Sequence, residues 1–131
     1  MKTSLHIDAK AKTWDLCAPV DYTKDRSGSI DVYTTLKGLY RILKFSGDTD
    51  GAVPTLGTQK WIADLNWTVT EEWRPYYVLD QGGNQQVAGY VEVREGGFTF
   101  ATIHGAGHMA PQWKRAETYH AIFNWIQGKP L

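Results

Sequence analysis

Two short, glycine-rich runs hold the residues in this chain best suited to proton chemistry. One is Phe45-Ser46-Gly47-Asp48-Thr49-Asp50-Gly51-Ala52-Val53-Pro54, with two carboxylates. The other is Ile103-His104-Gly105-Ala106-Gly107-His108-Met109-Ala110-Pro111, with two imidazoles. A carboxylate beside an imidazole fixes the ring's tautomer and stabilises its cation, the arrangement that lets histidine act as a general base toward a serine. Gly105 and Gly107 remove side-chain bulk ahead of His108, and Gly47 and Gly51 do the same around the two aspartates, so each loop can turn sharply. Acid before base, with any nucleophile further upstream, is the Ser…Asp…His order of α/β-hydrolases.

The nucleophile itself is not found. The serines are Ser4, Ser27, Ser29 and Ser46, and none lies in a Gly-x-Ser-x-Gly elbow. Metal readings are weak. Asp48-Thr49-Asp50-Gly51 has the spacing of a calcium loop, but Gln59 stands where such a loop needs its closing glutamate. His104 and His108 are four apart, yet Gly105 stands where His-Glu-x-x-His needs glutamate, and the flanking glycines disfavour a helix. No metal and no cofactor is expected. Each loop alone has a plain structural explanation, a capping histidine or an Asx turn. Together they form an acid and a base awaiting a third member.

The elements that would position these loops alternate. The pattern predicts a helix over Asp31–Gly38, a strand over Leu39–Phe45 and a helix over Pro54–Leu65. Strands over Val87–Arg94 and Phe98–Ile103 follow, around Glu95-Gly96-Gly97, and a helix over Pro111–Trp125 closes the chain. Helices between strands predict an α/β fold, in which functional groups gather on loops at the carboxyl ends of strands. Both runs fall at such ends. Arg41 and Lys44 interrupt an otherwise apolar strand, so their charged ends must reach water or a partner.

Composition narrows the partners. The 131 residues carry 14 Lys and Arg against 14 Asp and Glu, so no global positive field favours nucleic acid. A 42% hydrophobic content argues for a folded chain, and no apolar run is long enough to span a membrane. The first residues lack the apolar core of a signal peptide. Cys17 is the sole cysteine: either a free thiol in a reducing compartment or one whose partner lies on another segment or chain. Asn66-Trp67-Thr68 is an N-glycosylation sequon, a short pattern that also arises by chance.

From about Leu5 to Leu131 the chain resembles the C-terminal portion of the serine carboxypeptidase family. The resemblance is carried by Leu5-His6-Ile7, Trp14-Asp15-Leu16-Cys17, the Phe45–Pro54 run, Ala88-Gly89-Tyr90, the His108 loop with Pro111, Phe123-Asn124-Trp125-Ile126 and Gly128-Lys129-Pro130. It implies that residues 1–131 are the C-terminal segment of an α/β-hydrolase domain whose nucleophile-bearing part lies upstream. Asp50 then matches the triad acid and His108 the base. Asp48 matches a loop-fixing residue, and is the second candidate for the acid. Met109 would line the pocket of the departing residue and favour an apolar one. Cys17 would bond a cysteine of the N-terminal portion.

The implied activity is release of C-terminal amino acids from peptides, in the secretory pathway, a lysosome or vacuole, or outside the cell; no nucleic acid or membrane partner is expected from the composition. A truncated binding or structural module, and an acyltransferase on the same scaffold, are the alternatives. Lys44 and Ala116 depart from the family pattern of an apolar strand residue and a proline. Lys44 implies looser packing or an exposed strand edge.

Overall fold

The computed structural model describes residues 6–8, 10–11, 21–24 and 28–131; Cys17 and the Trp14–Cys17 match lie outside the described residues. Helix α1 covers Ile30–Leu36, strand β1 Ile42–Gly47, helix α2 Thr55–Asp64, and strands β2, β3 and β4 Val69–Leu79, Gln85–Arg94 and Phe98–Ile103. Helices α3 and α4 cover Ala110–Trp113 and Arg115–Ile126. The strands form one mixed sheet in the order β1-β4-β3-β2. β1 and β4 run parallel, and the other neighbours antiparallel.

Period-two alternation in β4 sorts the core onto the two faces of the sheet. Phe98 and Phe100 pack with Ile62, Trp67, Trp61 and Tyr33, which brings α1 and α2 onto one face. Ala101 and Ile103 pack with Val91, Tyr76, Ala110 and Ala121, which brings α3 and α4 onto the other. All six β4 residues are buried. That strand is buried on both faces and so joins the two halves of the core. The expected α/β layering is thus present among the described residues.

Several expectations shift. β1 starts three residues later than Leu39, because Gly38 turns the chain at a φ of +75° and leaves Leu39 and Tyr40 exposed. It runs on to Gly47 because Ser46 and Gly47 pair with Thr102 and Ile103. β2 is a long strand that the pattern did not announce; as the outer strand here, it tolerates Pro75. The closing helix is broken at Lys114 (φ −125°, ψ 63°), which separates α3 from α4.

The two interrupting cations find different solutions. Arg41 donates to the Trp125 and Ile126 carbonyls at 2.7 and 3.0 Å and lies over the Trp125 ring, capping the C-terminus of α4. Lys44 is half-buried and lines a groove with Tyr33 and Trp61.

Candidate active site

Parallel pairing of β1 and β4 puts both glycine-rich loops at the same end of the sheet. The last register pair, Gly47 with Ile103, delivers them side by side. Two backbone bonds then cross between the loops, Asp48 N–H to the Ile103 carbonyl at 3.2 Å and Thr49 N–H to the Ala106 carbonyl at 3.0 Å. Behind them, the Thr55 hydroxyl donates to the Gly47 carbonyl at 2.8 Å and fastens the start of α2 to the end of β1.

Asp50 lies at the turn of the first loop. One carboxylate oxygen accepts the Ala52 and Val53 amides at 2.7 and 3.0 Å. The other is 2.9 Å from Nδ1 of His108. The Val53 amide, then the His108 contact and the Ala52 amide, hold this carboxyl below the usual aspartate range, against an opposing effect of burial. The Asp50 side chain is 7% exposed and that of His108 58%. An ionised carboxylate only accepts hydrogen bonds, so Nδ1 carries the hydrogen, and in the neutral ring Nε2 keeps a lone pair. Among the described residues nothing bonds Nε2. The arrangement is an oriented imidazole base with a fixed tautomer on an accessible rim.

A second pair of the same type lies beside it. Asp48 accepts the Gly105 amide at 2.7 Å through one oxygen and meets Nδ1 of His104 at 2.7 Å through the other. The sequence identified Asp48 as a loop-fixing match and considered His104 only as a metal ligand; their pairing was missed. Its one sequence signal is that two carboxylates and two histidines occupy loops on neighbouring strands. Each carboxylate is engaged by an imidazole and by its backbone donors, one amide for Asp48 and two for Asp50. Among the described residues no group of three or more His, Cys, Asp or Glu is arranged to hold a metal.

Met109 directly follows His108, occupies the N-cap position of α3 and is 42% exposed. Trp113, one turn further, lays its ring against Gly107, where any side chain would collide with it. Ser46, the serine nearest the site in sequence, is buried and bonded to Thr55, so it is no nucleophile here. Asn66 is exposed in the turn after α2, at a φ of +55°.

An oriented acid–imidazole pair at the carboxyl ends of parallel strands is the class of site found in serine-dependent hydrolases. Comparison with known proteins carries this further. Residues 1–128 match the family model described as Serine carboxypeptidase. The chain is 40% identical to Serine carboxypeptidase-like 17 of Arabidopsis thaliana over 99% of its length, and 36% identical to Serine carboxypeptidase-like 12 of the same plant over 100%. It is 40% identical to Serine carboxypeptidase 1 of Hordeum vulgare over 90%. The chain belongs to the serine carboxypeptidase family. It spans 29%, 30% and 23% of the lengths of these three relatives. Among the described residues no helix is long and apolar enough to cross a membrane.

Proposed function

We propose that this chain supplies the acid and the base of a serine-type carboxypeptidase with an α/β-hydrolase fold, and that the serine comes from a segment outside these 131 residues. The observation that carries the reading is the 2.9 Å contact between Asp50 and Nδ1 of His108, with the ring otherwise accessible. His108 Nε2 takes the proton of the serine hydroxyl as its oxygen attacks the last peptide carbonyl. Asp50 stabilises the imidazolium, and the proton passes to the departing amine. The acyl group left on the serine is then released by water, activated by the same nitrogen.

Met109 gives the leaving-residue pocket an apolar wall, which favours an apolar C-terminal residue. Cys17 joins the N-terminal chain or segment by a disulfide. Asn66 carries a glycan in a secretory, vacuolar or extracellular location; its exposed turn is compatible with one.

The test is made on the longest natural protein containing this chain. Expected results are labelling by a fluorophosphonate, release of C-terminal residues from blocked dipeptides, and loss of turnover with substrate binding retained in His108→Ala. Absence of labelling in every complex would favour a non-catalytic binding module. Preference for an alcohol over water as acceptor would identify an acyltransferase.

A further inference from the structure

The Asp48–His104 pair sits where a base-bearing loop needs to be held. Both oxygens of Asp48 are committed to the other loop, one to the Gly105 amide and one to His104 Nδ1, each at 2.7 Å. The backbone of Asp48 bonds Ile103, and Thr49 bonds Ala106. Four contacts thus reach from two consecutive residues of the first loop to four consecutive residues of the second, 103 to 106. Gly105 holds a φ of +67° at the centre of that span, and His108 follows three residues later.

The two acid–imidazole pairs are not equivalent. Asp50 is almost closed from solvent and takes its two amide bonds from its own loop. Asp48 takes its amide bond from the opposite loop, so its carboxylate spans the gap between loops. A charge-assisted bond at that position restrains the loop that carries the base more than a neutral one would.

We propose that Asp48 and His104 are a positioning pair: they fix the loop over 103–107 so that Nδ1 of His108 meets Asp50. The effect on turnover rests on the reading of His108 as the base; the effect on the His108 ring does not. His104 acts through its Nδ1–H donor, so another donor of similar reach serves in its place, and an apolar side chain does not.

The experiment reads the histidine rings of the 131-residue chain by long-range 1H–15N NMR. In the wild type, His108 is expected as one tautomer, with hydrogen on Nδ1. His104→Leu is expected to mix the His108 tautomers and weaken its low-field Nδ1–H signal, while His104→Gln restores both. Asp50→Asn should disturb His108 and leave His104 in place, separating local from general loss. If His104→Leu loses its dispersed amide spectrum, Asp48→Asn, which keeps the side chain's shape, is judged by the same signals. An unchanged His108 in the folded variant that is read overturns the proposal. In the longer protein, His104→Leu should lower kcat by on the order of tenfold to a hundredfold with KM retained, and His104→Gln should recover it. If the wild type shows no hydrolysis at all, the hydrolase reading fails, and the ring signals still decide the positioning pair.

Discussion

Gly47 and Ala106 lie backbone to backbone: a Cβ at position 47 would overlap the Ala106 carbonyl oxygen and crowd that of Gly107. This contact lets the loop after β1 close against the loop after β4. Gly47→Ala must therefore part the loops that carry Asp50 and His108. Overpacking of this kind costs about 1–3 kcal/mol. Urea unfolding is expected to show that loss, and the His108–Asp50 proton signal should vanish even in the folded fraction. A variant of full stability with the signal intact would refute the contact's role.

Asp50 makes an acid-sensitive contribution to stability. Its folded carboxyl titrates below the unfolded value of 3.8, through the Val53 amide first and His108 second. The stabilisation is complete above the unfolded pKa and is lost as pH falls from about 4 through the folded value. Wild type should exceed Asp50→Asn in stability at neutral pH, and the gap should narrow steadily below about pH 4. Urea midpoints measured from pH 7 to pH 2.5 check this; a gap that stays constant over the whole range would rule it out.

Much of this was legible in the residues because some positions admit one solution. Phe98–Ile103 has no charged residue on either parity, and its limits as β4 are those that the pattern gives. β2 was illegible for the opposite reason. Thr70, Glu71, Glu72 and Pro75 give neither alternation nor an apolar run, and only its place as the outer strand makes such a sequence tolerable. The break at Lys114 was hidden because the apolar spacing of Tyr119, Ile122, Phe123 and Ile126 does not register the chain's turn upstream, where Trp113 is drawn onto Gly107. In the site, glycines and carboxylates revealed the loops. That Asp48 faces His104 while Asp50 faces His108 depends on the β1–β4 register, which local pattern does not encode.

Tyr76 should titrate only as the protein unfolds. It is 1% exposed, its hydroxyl donates to the Thr102 carbonyl at 2.7 Å, and Gly89 leaves the space that both need. Burial, then the negative charges of Glu117 and Asp48, push the phenol far above its ordinary value. A raised folded pKa means that the folded state keeps the proton longer, so stability falls as pH rises past about 10. The alkaline absorbance of Tyr76, read as wild type minus Tyr76→Phe, should therefore appear with unfolding and not before. Tyr76→Phe should remove that step and cost about 1 kcal/mol at neutral pH, the net worth of one buried hydrogen bond. Ionisation of Tyr76 while the protein is still folded would contradict it.

Arg41 should hold the C-terminus of α4 through donors that lysine cannot reproduce. Its guanidinium gives separate N–H groups to the Trp125 and Ile126 carbonyls while its plane covers the Trp125 indole. These are carbonyls of the helix's last turn, which have no partners within the helix itself. A lysine ammonium offers a point charge and no planar fork, so it cannot make both bonds and the ring contact together. Arg41→Ala is expected to cost about 1–3 kcal/mol, because it removes charge-assisted bonds and an aromatic contact. Arg41→Lys should recover less than half of that loss. The damage should be local, with faster hydrogen exchange at Gln127, Gly128 and Lys129, whose amides close the helix end on Phe123, Trp125 and Asn124. Exchange at Ala101 and Ile103, in the buried central strand, should rise only by the global loss in stability. Equal acceleration at both places in excess of that loss, or full recovery by lysine, would show that Arg41 acts as a general charge and not as the cap of α4.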